Sequence, residues 1–214
     1  MVKRLPDMIE KYTLFDSLRL YRAKRNKGDG RMEHGRLLIE EYEINSSTVV
    51  LLPLTYGSKV FTKIYEMEDE SISPFKPIDI IKESCFNFGS NYEGRKAATR
   101  KLIGAIHKVP IAISPLIYLF PTTSPENPLC IWVAHEHVID YKKGEDGSTT
   151  IVKFRNNRCI PIPISASSFE NQLIRTMMLK TKLSRNSNEA LPRSIYTSKL
   201  RKQKSAEDSG EYDW

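Results

Sequence analysis

Between two capped helix starts the chain runs through a series of apolar, strand-forming stretches, and that order limits the folds open to it. Ser90 and Glu93 form one Ser-x-x-Glu capping box, and Ser167 and Glu170 form another. In such a box the hydroxyl accepts a backbone N–H of the first turn, while the carboxylate reaches back to the N–H of the cap. The first helix, starting near Asn91, is expected to run through Ala97, Ala98 and Leu102 and to stop at Gly104. The second carries an apolar stripe of Phe169, Leu173, Met177 and Met178, with Asn171, Arg175 and Lys182 on another side. Between the two lie VPIAISPLIYLFP, PLCIWVAHEHVIDY, TTIVKFRN and CIPIPI, whose β-branched and aromatic residues favour strands. Pro115 and Pro161 mark edges or bends, and Lys143–Gly144–Glu145–Asp146–Gly147 reads as a hairpin turn.

Upstream, the region from Arg36 to Met67 holds LLIEEYEI, STVVLLPL and KVFTKIYEM, with turns at Asn45–Ser46–Ser47 and Tyr56–Gly57–Ser58. The acidic run from Glu66 to Glu70 reads as a solvated loop, and Pro77 to Ser84 as a short helix. The expected fold class is therefore α+β: a mostly antiparallel β-sheet with two or three packed helices in a single domain.

Charge is informative only where it is segregated. The chain carries a net charge of +7, but residues 1–31, with nine Lys or Arg against four acids, supply +5 of it, and the remainder supplies only +2. Against that near-neutral background, no Asp or Glu occurs from Gly94 to Pro125 or from Asn171 to Asn188. Each acid-free segment opens a helix and continues into Lys and Arg, as a phosphate-binding surface requires. Arg95, Lys96, Arg100 and Lys101 stand on the first helix, with Asn91 and Thr99 as neutral hydrogen-bonding groups. Asn171, Arg175, Lys180 and Lys182 stand on the second. A solvated helix face is the bland reading of either one alone; the pair together favours a binding surface.

Other chemistry finds little support. Gly89 to Lys96 has the G-x-x-x-x-G spacing of a P-loop, but Arg95 replaces the Lys and Lys96 the Mg²⁺-binding hydroxyl, which excludes that reading. His135 and His137 form His-x-His on an expected strand, which would point both to one face. Without a third ligand nearby, packed or hydrogen-bonded histidines are favoured over a metal site, and His107 is uninformative alone. Cys85, Cys130 and Cys159 show no metal spacing and read as reduced, buried thiols. No nucleophile–base set or carboxylate pair is recognisable, so no enzyme activity, cofactor or metal is expected. No apolar run approaches the roughly 20 residues of a membrane helix, no signal peptide is visible, and the chain reads as cytoplasmic.

Four stretches in fixed order resemble the competence transcription factor family, ComK: SCFNFGSNYEGRKAATRK, HKVPIAISPLIYLFPTTS, CIWVAHEHV and PISASSFENQLIRTMMLKTKL. The resemblance covers roughly Glu40 to Leu183. It implies a transcription activator of DNA-uptake genes that recognises double-stranded AT-rich DNA through the minor groove. It also implies a homo-oligomer, contact with the transcription machinery, and turnover by an adaptor and protease system. Short basic helices suit minor-groove recognition, and neither a helix-turn-helix nor a basic zipper pattern is present. The expected organisation is a basic N-terminal extension over 1–31, a ComK-like DNA-binding domain over 32–185, and a polar, flexible tail over 186–214. A helix from Asp7 to Arg25, ending at Gly28–Asp29–Gly30, is expected in the extension, with Met32 an alternative start to Met1. The extension and the tail lie outside the resemblance. The alternative function is a ComK-like regulator acting through protein partners, with weak or no specific DNA binding.

Overall fold

The central strands of this protein are apolar on both faces, which calls for cover on both sides of the sheet. The computed structural model describes residues 37–39 and 41–207. Strands β1 (Leu37–Leu38), β2 (Thr48–Tyr56), β3 (Lys59–Glu66) and β4 (Glu70–Ser73) are followed by α1 (Pro77–Asn87) and α2 (Tyr92–Ile103). Next come β5 (Ile111–Ser114), β6 (Ile117–Pro121), β7 (Trp132–Ala134), a 3₁₀ turn (His135–His137), β8 (Val138–Lys143), β9 (Thr150–Phe154), β10 (Cys159–Ile162) and α3 (Ala166–Glu207). A seven-stranded sheet has the order β1-β4-β3-β2-β7-β6-β5, and a three-stranded sheet the order β10-β9-β8. Every pairing is antiparallel except β1 with β4. The α+β class and the mostly antiparallel sheet are as expected.

Alternation along three neighbouring strands builds two cores. Leu51, Leu119 and Trp132 point to one face and pack with Ile80, Ile81 and Cys85 of α1 and Tyr92 of α2. Their chain neighbours Val50, Phe120 and Val133 point to the other, against Val152, Phe154 and Ile162 of the small sheet and Phe169 of α3. Helices therefore cover one face of the large sheet, and the small sheet with the head of α3 covers the other. Phe169 meets Phe120 at 5.4 Å and Tyr141 of β8 at 5.3 Å between ring centroids, joining helix and both sheets.

Several local expectations are corrected. Among the described residues of LLIEEYEI, Leu37–Leu38 form the strand. Tyr42 and Ile44 are nevertheless buried between exposed neighbours, and the Tyr42 hydroxyl donates to Glu66 Oε1 at 2.8 Å. The acidic run is a tight turn between β3 and β4, closed by Glu66 N–H donating to Asp69 O, and Glu70 lies 3.4 Å from Lys63 and 3.1 Å from Arg158. The first apolar stretch folds as a β5–β6 hairpin that turns at Pro115. Cys159, expected to be buried, is exposed, whereas Cys85 and Cys130 are buried. Helix α3 itself continues as far as Glu207, and residues 208–214 lie outside the described residues. The 1–31 extension, its expected helix and turn, and Met32 lie outside the described residues.

The buried face of α3 is not the stripe expected from its hydrophobic residues. Phe169 and Leu179 are buried together with the polar Gln172 and Thr176, while Met177 and Met178 stay largely exposed. Thr176 Oγ1 donates to Gln172 O, and Gln172 Nε2 donates to Lys108 O at 2.7 Å and Pro121 O at 2.8 Å, so burial leaves these groups partnered. Phe169→Ala should cost about 3–5 kcal/mol, and Met178→Ala no more than about 0.5 kcal/mol. Equal denaturation midpoints for the two variants would contradict this packing.

Candidate nucleic-acid interface

Helix α2 begins at the cap Asn91 rather than Ser90: its side chain accepts Gly94 N–H at 2.6 Å. An amide oxygen caps as well as a hydroxyl does, and the Asn one residue later sits in the extended conformation a cap needs. The helix ends at Gly104, left-handed at φ 69°, as expected. Helix α3, by contrast, starts earlier than the Ser167–Glu170 box implies, with Ser165 Oγ accepting Ser168 N–H at 3.3 Å. The two helices pack against each other beside the β5–β6 edge of the sheet.

The cations of the two helices are held in different ways, and the difference decides how much charge each presents. Lys96 lies 3.3 Å from Glu93 and 5.4 Å from the Tyr92 ring. Lys180 donates to Glu136 Oε1 at 2.8 Å and lies 5.8 Å from the Tyr118 ring. Both are partly neutralised. Arg95 is half-buried and donates to Ala112 O and Phe88 O, tying α2 to β5. Arg100 donates to Ile106 O at 3.2 Å, and Arg175 to His107 O at 3.5 Å. Carbonyl oxygens fix an arginine without cancelling its charge. Lys101 and Lys182 are exposed, and among the described residues neither meets a carboxylate.

Geometry further divides the expected set. At about 100° per residue, Asn171, Arg175 and Lys182 share a flank of α3 within about 40°, and Lys180 lies roughly opposite. All three are exposed, and Arg175 among them reaches the Gly104–Lys108 loop after α2; Lys180 faces the 3₁₀ turn. Thr99 is buried beneath α2 and turned away from this surface, while Asn91 is exposed at the far end of the helix, occupied with capping. The fold thus brings Arg100 of α2 and Arg175 of α3 to one loop, while Lys101 is exposed on α2, and Asn171 and Lys182 are exposed on the flank of α3 that carries Arg175. Residue spacing gave no sign of that loop, because what holds it is its own carbonyl groups.

The His-x-His segment is a 3₁₀ turn rather than a strand, so its imidazoles do not share a face. His135 Nδ1 lies 2.6 Å from Glu136 Oε2, and His137, buried, places Nε2 2.9 Å from Ser46 O. Among the described residues no group of three His, Cys, Asp or Glu is placed to hold a metal, and no helix is long and apolar enough to cross a membrane. Burial pushes the Glu136 carboxyl up, but hydrogen bonds and positive charge from His135 and Lys180 outweigh it and hold it below the usual range. A carboxyl depressed by folding contributes stability above its unfolded value near 4.5, and that contribution is lost as pH falls through the folded value. Acid titration of stability should therefore be shallower below pH 4.5 in Glu136→Gln than in the parent. Superimposable acid limbs would show that this carboxylate is not linked to folding.

The sequence places the chain among known proteins. The ComK protein family model matches residues 39–188. The chain is 39% identical over 157 residues to the Competence transcription factor of Bacillus subtilis (strain 168), a match spanning 72% of this chain and 81% of that protein. No solved structure matches it. With a family match over most of its length and a relative of this identity, the chain belongs to the ComK family.

Proposed function

We propose that this protein is a cytoplasmic regulator of competence transcription that binds double-stranded AT-rich DNA through the minor groove. Family membership and the relative's name support the regulatory part. The DNA part rests on one observation: α2 and α3 pack together and share one loop through Arg100 and Arg175, Lys101 and Lys182 are exposed on the same two helices, and no described carboxylate pairs with these four. Such a cluster gains free energy by displacing counterions from phosphates. Narrow AT-rich grooves concentrate negative potential and attract Arg and Lys, and Asn171 adds a group able to read the acceptors on the groove floor.

In this reading Lys101 and Lys182 neutralise phosphates, and Arg100 and Arg175 combine charge with support of the loop. Arg95 and Thr99 hold α2 in place, Asn91 starts it, and the ion-paired Lys96 and Lys180 stand at the margin. The exposed Ile174, Met177 and Met178 of α3 suit a second copy of the chain. Contact with the transcription machinery and turnover through an adaptor and protease belong to the same proposal. That apolar ridge also favours a second reading, a regulator working through protein partners alone.

Competition between AT-rich and GC-rich duplexes separates the two readings. The DNA reading expects the AT-rich duplex to win and a minor-groove ligand to displace the protein; equal, weak binding to both duplexes would favour partners alone. Lys101→Ala and Lys182→Ala should each weaken binding and lower the salt slope by roughly one. Lys96→Ala should change the slope less, because Glu93 already offsets its charge. An unchanged slope in the Lys101 and Lys182 variants, with the fold intact, would remove this surface from the interface.

A further inference from the structure

The loop from Gly104 to Lys108 is gripped by its backbone. Arg100 of α2 holds Ile106 O, Arg175 of α3 holds His107 O, and Gln172 of α3 holds Lys108 O. Three successive carbonyls are thus bound by three side chains from two helices. Gly104 at φ 69° and Lys108 at φ 49° bend the chain at either end. Ala105, Val109 and Pro110 are buried and anchor it. What this rigid loop presents is Ile106, a β-branched apolar side chain left 68% exposed.

The surroundings of Ile106 narrow the partner. Arg100 holds its own carbonyl and Arg175 the next one, Lys101 follows Arg100 on α2, and no acidic residue occurs from Gly94 to Pro125 or from Asn171 to Asn188. An apolar protein surface covering Ile106 would also have to desolvate these like charges without compensation. A DNA duplex offers both complements at once: phosphates for the cations, and the apolar faces of bases for the isoleucine. Apolar side chains enter the minor groove in this way, opening one base step and bending the duplex, and flexible pyrimidine–purine steps such as TA yield most readily. The branched Cβ restricts χ1, which keeps such a wedge stiff.

Building on the DNA reading, we propose that Ile106 is a wedge that enters the minor groove at an AT-rich step, opens the base stack there and bends the DNA. The cations around it hold the flanking phosphates. Preference for flexible AT-rich steps then comes from the energy of deforming the duplex as well as from groove potential.

The test uses the full chain and a duplex of about three helical turns, with donor and acceptor dyes at its ends and 2-aminopurine at TA steps. The parent should bring the dyes together and raise 2-aminopurine fluorescence at one step. Ile106→Ser should abolish both signals and lower the AT-over-GC preference roughly fivefold or more, with the salt slope unchanged. Ile106→Leu should retain both signals. Lys101→Ala should bind more weakly with a shallower salt slope, yet bend the duplex fully at saturation. Bending and unstacking by Ile106→Ser equal to the parent's would overturn the wedge while leaving DNA binding standing. Absence of salt-dependent binding by the parent would instead overturn the DNA reading, and the wedge with it.

Discussion

The buried amide of Gln172 sets the distance between α3, the end of β6 and the loop that follows α2. Its two N–H groups are donated to Lys108 O and Pro121 O, and it lies in the face that α3 presses against the sheet. An unpartnered amide there would cost about 1–3 kcal/mol, so the helix seats in the register that satisfies both bonds. Phe169, one turn earlier, fixes the other coordinate by filling the space between Phe120 and Tyr141. With those two residues in place, Arg175 comes to His107, and Arg100 and Arg175 hold adjacent carbonyls of one loop.

The electrostatics of that region depend on the kind of acceptor each cation meets. Lys96 and Lys180 meet carboxylates, which partly neutralise them. Arg95, Arg100 and Arg175 meet carbonyl oxygens, which orient the guanidinium and leave its unit charge in place. One residue type thereby serves as both fastener and charge source, as the five-donor guanidinium fork permits.

Much of the fold was legible because its signals are local. The extended runs around Val50, Ile64 and Phe120, the Gly104 stop and the Gly144–Gly147 turn appear where residue preferences place them. The departures have physical causes. Asn91 displaced Ser90 because two adjacent residues both cap well. The Met177 and Met178 stripe was misassigned because Gln172 and Thr176 are buried with their hydrogen bonds satisfied, which hydrophobicity alone does not reveal. Glu70–Ser73 was missed as a strand because it is four residues long and starts inside an acidic run. In the site, the basic helices and their meeting were foreseen, but not the pairing of Lys180 with Glu136, which is 44 residues away. The loop was invisible for another reason: backbone carbonyls carry no residue signature.

The grip on Ile106, His107 and Lys108 has a kinetic consequence. A loop so restrained gives up its conformational entropy when the chain folds, and a ligand arriving there has little further ordering to impose. Encounter would then proceed at a rate set by diffusion and long-range attraction. Correct and incorrect sites would be captured almost equally fast, and discrimination between them would lie in how long each complex survives.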